Sequence, residues 1–494
     1  MNIYSKGAWG QALLVVLFLL PGLGAEEWTI IGPRAMGMGG AGVAVTRGGL
    51  STYWNPAGLA PPHAPRLDTF WDAEIPASLQ AAATNNFLKE VGDVVDLLNS
   101  LDFIDGGALT ETDLQNVIRL VAKEIPELGE DDRGVTATGS VGLAAKIGYF
   151  GMSAMGLVYT GGIAKVDSEN IALGTEGLTA VMGAGNDRTG QLTPEGQDFA
   201  DQLAGDGLAT QNQAEEIVYQ AEQAGLDIED PQIQQNIEAV LIATQENEGG
   251  SPERSITNNQ SGADMKSLVL QEYTVSFAYP FFEFFSLGVS GKALYGRTSF
   301  QPYDVAGLSN IDDPQDLFDD IFDSEEETLT FGIDVGALVE PFDWLAVGVV
   351  GRNLNRPSFD YAGPGDYVLD PQVRAGVGVH PLPGLTLAAD IDLYVNHSEA
   401  LPGYDSQQLG GGIEYALLEV LPLRVGISKN LAEADEALLL HAGLGLRIWR
   451  FYLDVAAHAA TDLTKVTWED GGDSVEVPER FGFSLLLGAN IPLD

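Results

Sequence analysis

Apolar and polar residues alternate with period two along much of this chain. In Leu385–Asn396, Leu385, Leu387, Ala389, Ile391, Leu393 and Val395 share one face. Thr386, Ala388, Asp390, Asp392, Tyr394 and Asn396 share the other, which is a strand with one apolar and one polar side. Phe481–Ile491, Thr328–Glu340, Val373–His380 and Arg450–Ala459 repeat the pattern. It predicts fourteen strands, near 66–75, 136–148, 150–164, 267–280, 284–299, 327–340, 343–352, 372–380, 384–395, 408–418, 422–429, 438–448, 450–460 and 479–491.

The connections alternate as well. Short turns at 148–151, 280–285, 341–343, 381–384, 418–421 and 448–450 take turns with longer loops near 76–135, 165–266, 300–326, 353–371, 396–407, 430–437 and 461–478. An even number of strands, tight turns at one end and long loops at the other is the layout of a closed membrane barrel. Closure is required because lipid tolerates no unpaired strand edge. Tyr149, Phe150, Phe281, Phe282, Phe284, Phe285, Phe342, Trp344, Trp449 and Phe451 cluster at the turns, as an interfacial aromatic girdle would. The predicted fold is an all-β membrane protein: a 14-stranded antiparallel outer-membrane β-barrel with an N-terminal hatch and helical extracellular loops. A propeller would repeat every ~40 residues, and no such repeat is present.

The two longest loops carry helical signals. In 86–101, Phe87, Leu88, Val91, Val94, Val95, Leu98 and Leu101 fall on one helical face, and Thr110–Asp113 reads as a capping box. Thr193-Pro194-Glu195 and Asp230-Pro231 read as helix starts with proline at the first position. The second loop is strongly acidic, and reads as a folded cap rather than a disordered excursion.

Composition narrows the class. Lys6 followed by the apolar stretch 12–20 and Leu23-Gly24-Ala25 reads as a signal peptide, so residues 1–25 are expected to be removed. With no cysteine, the chain has no thiolate metal site, Fe–S cluster or cysteine nucleophile. A net charge of −47 argues against direct nucleic-acid binding, which runs on Lys and Arg. No G-x-S-x-G elbow or metal-spaced histidine pair is present, so neither an enzyme, a cofactor nor a metal is expected. The acidic run 312–327 lacks the spacing of a Ca²⁺ loop and reads as solvated.

Residues 34–60 hold the most specific motif. Gly37, Gly39, Gly40 and Gly42 match G-x-G-x-x-G formally, but no buried strand precedes them and no acidic residue follows about 20 positions on. The glycines instead permit backbone to pack against backbone. Asn55-Pro56-Ala57 follows, with Asn55 restricted to an extended conformation and able to hydrogen-bond backbone groups. The stretch resembles the N-terminal segment of FadL-type outer-membrane barrels, including the PorV-like and conjugal-transfer TraF-like branches; "TNNFLK" (84–89) is more like the last. The resemblance implies that residues 26–60 fold into the lumen as a hatch, with the barrel occupying 61–494. It also implies passage of hydrophobic ligands through the lumen and sideways out of the wall. The chain ends Ile491–Asp494, without the terminal aromatic residue common among such barrels.

On the alternation, the lumen is lined by Lys292, Asp334, Arg374, His380, Asp390, Asp392, Glu414, Arg424, His441, Arg447, Arg450, Asp454 and His458. Such charges either pair to brace the wall or form a polar filter. Two functions stay open: passive uptake of hydrophobic or small amphipathic molecules, and a non-transport scaffold in a secretion or conjugal-transfer complex. The expected partners are outer-membrane lipid and lipopolysaccharide, a hydrophobic small molecule, and envelope-complex proteins.

Overall fold

The computed structural model describes residues 26–63, 70–84, 111–129, 133–165, 190–247, 262–304, 326–363, 365–467 and 474–492, with Phe87, Val94 and Leu97. Twenty strands are numbered in chain order. Those of the wall are β1 (Phe70–Ala83), β2 (Gly134–Ile147), β3 (Phe150–Lys165), β4 (Gly262–Phe282), β5 (Phe285–Asp304), β6 (Glu326–Phe342), β7 (Leu345–Arg352), β10 (Gln372–Leu382), β11 (Leu385–Asp392), β14 (Gln408–Leu417), β15 (Leu421–Asn430), β16 (Leu439–Ile448), β17 (Phe451–Ala460) and β20 (Arg480–Pro492). They close into one antiparallel barrel, sealed by β1 against β20 with Ala73 opposite Ala489. The other six form hairpins in the long loops: β8 (Ser358–Phe359) with β9 (Tyr367–Val368), β12 (Asn396–His397) with β13 (Asp405–Ser406), and β18 (Leu463–Thr467) with β19 (Ser474–Pro478).

Alternation decides which way each side chain points. Ile75, Leu143, Met152, Val275, Leu387, Ile413, Val425, Leu453 and Leu485 are exposed on the outer face. Glu272, Lys292, Asp334, Arg374, Asp390 and Arg424 are buried on the inner one. An apolar exterior around a polar interior is stable only where the surrounding solvent is hydrocarbon. No helix among the described residues is long and apolar enough to cross a membrane. Phe150, Phe281, Phe282, Phe284, Phe342, Trp344, Trp449 and Phe451 are exposed at the short-turn end, where the girdle was expected.

Thirteen of the fourteen predicted strands lie within a few residues of their place. The first is shifted. The alternation suggested 66–75 with a loop from 76, whereas β1 runs to Ala83 straight through Pro76. Proline normally demotes a central strand because it cannot donate to the ladder. Here the β1–β2 register steps from Glu74↔Ala144 to Ala77↔Val141 without rungs between, while Pro76 keeps its place opposite Leu486 of β20. The wall is also uneven: β4 has 21 residues and β6 17, while β7 and β11 have 8 each.

The helical signals hold where the structure describes them. Thr193 Oγ1 accepts from Gly196 N at 3.0 Å to start the helix Pro194–Gly205. Asp230 Oδ1 accepts from Gln232 N at 2.8 Å to start Pro231–Asn247. The helix Gln211–Gln223, opened by a Thr210/Gln213 capping box, was not anticipated. Ile118 and Ala122 of the first insertion share one core with Phe199, Leu203, Ile217, Val218 and Ile237 of the second. The two insertions thus make one folded unit. Most of 86–101, Thr110 and the acidic run 312–325 lie outside the described residues.

Candidate functional site

Residues 26–60 lie inside the barrel. Two short helices, Pro33–Gly37 and Ser51–Trp54, and a 3₁₀ turn, Pro56–Leu59, follow one another across the lumen. Each is too short to be stable alone. Wall side chains and wall glycines hold them instead.

The glycine-rich part meets a wall without side chains. A Cβ on Gly39 would stand 2.4 Å from the Ile427 carbonyl oxygen and 2.6 Å from that of Gly411. Gly39 and Gly40 also have φ of +71° and +81°, which favours glycine. From the wall side, Gly410, Gly412, Gly426 and Gly443 abut Gly37, Met38 and Gly39 in the same way. Gly42 leaves room for the Trp54 ring.

Asn55 is fully buried and uses its whole carboxamide. Its Oδ1 accepts from Ala57 N at 3.0 Å, and its Nδ2 donates to the carbonyls of Val43 and of Ala337 in β6, both at 3.1 Å. Its φ of −168° is the extended conformation that Pro56 demands. Gly288, Gly336 and Gly348 of β5, β6 and β7 clear space for Pro56, Asn55 and Val43. Ala57 is packed with Ala44 and Leu338.

Charges tie the segment to the wall. Asp390 Oδ2 accepts from Gly42 N and Val43 N at 2.7 and 2.8 Å. Arg34 reaches Glu414 at 2.8 Å; Glu414 also holds Arg424 at 2.6 Å, Arg424 holds Asp454 at 3.0 Å, and Asp454 holds Arg447 at 2.9 Å. Arg47 pairs with Glu340 at 2.7 Å. Across the lumen, Lys292 sits 2.9 Å from Asp334 and 3.4 Å from Glu272, and Arg374 pairs with Asp392 at 2.5 Å. Arg352 lies over Tyr53, its guanidinium carbon 3.9 Å from the ring centroid, and Arg374 lies 4.6 Å from that of Trp28. Removing one member of such a buried set strands its partner.

The sequence-derived lumen residues divide on these contacts. Lys292, Asp334, Arg374, Asp390, Asp392, Glu414, Arg424, His441, Asp454 and His458 are buried inside the wall, and Arg447 joins them at its edge. His380 is half-buried beside Thr386. Arg450 is exposed in the turn before β17, over the ring of Trp449, and lines the mouth of the vestibule beneath Arg34 and Arg47. His441 donates through Nδ1 to the Met36 carbonyl at 2.7 Å and faces Ser428 Oγ through Nε2 at 2.8 Å. His441 and His458 lie with ring centroids 5.0 Å apart and planes tilted by 51°, while Asp390 and Asp454 are engaged elsewhere, so neither aspartate pairs with these two histidines.

Sequence reasoning missed Glu26, Glu74, Glu272, Arg352 and Arg480. Glu272 was hidden because Leu268 and Leu270 share its inward face, breaking the apolar-out rule. Glu26 is held at the long-loop end by Tyr367 Oη at 2.6 Å, Ser398 Oγ at 3.0 Å and the amides of Glu399 and Ala400 at 2.9 and 2.8 Å. Burial pushes its carboxyl above the usual 4.5, against those hydrogen bonds. Glu27 pairs with Arg480 at 2.6 Å. Nothing in the local sequence marks these contacts, because their partners are hundreds of residues away.

Two hollows adjoin the segment, and a third lies on the wall outside it. One of about 40 Å³, lined by Trp28, Gly40, Gln80, Asp390, His458 and Arg480, has room for a few waters only. A vestibule of about 490 Å³ opens below Arg34 and Arg47, lined by Glu74, Arg447 and Tyr452. A third, of about 570 Å³, lies at Ala73, Ile75, Leu143, Met152, Phe451 and Leu487, residues of the outer face beside the missing β1–β2 rungs.

Residues 52–392 match the model of the family described as the F plasmid transfer operon TraF protein. The chain belongs to this TraF family. No curated protein matches it in sequence. Among solved structures, this TraF-family chain is similar to the toluene transporter TbuX of Ralstonia pickettii, at 10% identity and a TM-score of 0.43, over 93% of this chain and 98% of that one. It is similar to the toluene transporter TodX of Pseudomonas putida, at 10% identity and a TM-score of 0.42, over 93% and 97% of the two chains. A FadL homologue of Pseudomonas aeruginosa gives 11% identity and a TM-score of 0.42 over 95% and 100%.

Proposed function

We propose that this TraF-family chain is an outer-membrane channel for small hydrophobic or amphipathic molecules, with residues 26–60 as its hatch and residues 1–25 removed as a signal peptide. The observation that carries this reading is the apolar hollow of about 570 Å³ beside the gap in the β1–β2 ladder. Pro76 offers no N–H there, so the wall is weakened at this point. A solute leaving at that point enters hydrocarbon without crossing water. The paired luminal charges brace the wall and seat the hatch, and outer-membrane lipid and lipopolysaccharide surround the apolar exterior. A second reading, a non-transport scaffold in a conjugal-transfer or secretion complex, draws support from the tight glycine seat and the small cavity within the lumen.

A disulfide lock separates the two. Thr52 Oγ1 and Ser153 Oγ are 3.1 Å apart, and the chain has no native cysteine. Thr52→Cys with Ser153→Cys fastens the hatch to β3. Cells producing the wild-type protein should take up radiolabelled toluene faster than vector controls, the oxidised double variant should not, and reduction should restore uptake. No uptake by correctly folded wild type would refute the channel and leave the scaffold. Equal uptake by the locked form would refute a moving hatch.

A further inference from the structure

The tall side of the wall ends in a step. β6 pairs with β5 from Glu326 to Val339, but β7 pairs with β6 only from Val335 toward the turn. Residues 326–334 therefore have no strand on their β7 side among the described residues. A barrel strand crosses the hydrocarbon in about 9–11 residues. Counted from Phe342, the band ends near Gly332, and 326–331 stand above it. Lipid would not tolerate this open edge in any case.

The backbone of the step faces outward along the sheet. The Ile333 carbonyl accepts from Leu354 N at 2.9 Å, Ile333 N donates to Asn355 Oδ1 at 2.9 Å, and the Phe331 carbonyl accepts from Asn355 Nδ2 at 2.7 Å. Odd-numbered residues of β6 thus turn their N–H and C=O away from β5. The Asn355 carboxamide imitates the first rung of a further strand. Then the chain leaves: Asn353 and Arg356 take φ of +52°, and the β8–β9 loop returns to hydrogen-bond Thr328 through Asp360 N at 2.9 Å. By the same alternation, Phe331 N and both polar groups of Leu329 point to the open side. They have no partner there among the described residues. Leu329 and Phe331 are 74% and 61% exposed, and Glu326 and Glu327 are exposed beside them.

We propose that this edge, Glu327–Phe331 of β6, takes up an extended basic segment of a partner protein as an added strand. The segment starts where Asn355 stops. Its backbone completes the rungs at Leu329 and Phe331, alternate apolar side chains cover those two residues, and Lys or Arg at successive positions meets Glu327 on the outer face, where Arg297 stands 3.8 Å away, and Glu326 on the other. The surplus negative charge of the whole chain favours a basic partner. A second copy fits poorly, since it would bring its own Glu326 and Glu327 to the same edge.

The probe is a fluorescein-labelled nine-residue peptide alternating valine with lysine and threonine. Anisotropy is read on the full-length protein in non-ionic detergent. The peptide should bind, and N-methylating the amides of its facing edge should weaken binding at least tenfold. Leu329→Pro removes one edge N–H without touching the β5 ladder. It should weaken binding by a similar factor while the heat-dependent gel shift of the folded barrel is retained. Glu326→Lys with Glu327→Lys should weaken it tenfold and favour a peptide with glutamate in place of lysine. No binding by wild type overturns the proposal. So does equal binding of the N-methylated peptide or by the proline variant, which means charge adsorption alone. A dimer in light scattering that Leu329→Pro abolishes would assign the edge to self-association, and overturns it as well.

Discussion

Asn55→Ala should free the luminal segment while leaving the barrel closed. The carboxamide makes three hydrogen bonds, to Ala57 N, Val43 O and Ala337 O, at a position with no solvent exposure. Alanine leaves all three backbone groups without that partner. An unsatisfied buried polar group costs about 1–3 kcal/mol. The Ala337 contact is only partly buried and falls at the low end. The sum is about 4 kcal/mol, directed against seating of 26–60, since the strand ladders do not involve Asn55. At about 1.4 kcal/mol per tenfold, the opening equilibrium of the segment should rise by roughly a thousandfold. Amide hydrogen exchange in detergent reads this directly. The amides of Tyr53–Ala57 should exchange roughly a thousandfold faster than in wild type, those of β14–β16 at unchanged rates, and the gel shift on boiling should persist. Exchange within about threefold of wild type at Tyr53–Ala57 would refute the reasoning. It would mean that water or a neighbour satisfies these groups and that the motif does not hold the segment.

Gly39→Ala should likewise unseat the segment, because its Cβ would enter the Ile427 and Gly411 carbonyls, and limited proteolysis within 34–50 should follow; Gly291→Ala, with nothing within 4 Å, is the control and should change stability by less than about 0.5 kcal/mol. Arg424→Met should cost about 3–5 kcal/mol by leaving buried carboxylates short of a partner, measured by urea unfolding from micelles; a loss under 1 kcal/mol would show that Arg34 and Arg447 suffice for Glu414 and Asp454. The raised Glu26 carboxyl means that the folded protein holds that proton more tightly than the unfolded chain. Its contribution is therefore full below about 4.5 and is lost as the pH rises through the raised value. The melting temperature of wild type relative to Glu26→Gln should fall over that rise, and a flat difference would refute the assignment.

The architecture was legible because a barrel is a local code repeated. Every strand of the wall after β1 announced itself by period-two alternation, and the turn aromatics and loop lengths told one end from the other; the three loop hairpins were not anticipated. β1 was misplaced because Pro76 breaks the local rule, and only the neighbouring β20 keeps it in register. The Gly37–Gly42 and Asn55–Ala57 motifs were recognisable as a packed turn, but what they pack on was not. The glycines opposite them, Gly411, Gly426 and Gly443 on one side and Gly288, Gly336 and Gly348 on the other, lie more than 200 residues away.

The sequence by itself determined that the chain alternates, that it closes, and that its polar face turns inward, because these follow from the two-residue period of a strand and from the intolerance of lipid for an open edge. Only the tertiary structure decided which charges meet, since Arg34 and Glu414 become neighbours through closure of the barrel around the N-terminal segment. It also decided where closure is incomplete, at Pro76 and along the top of β6, because a missing rung is a property of two strands and not of one.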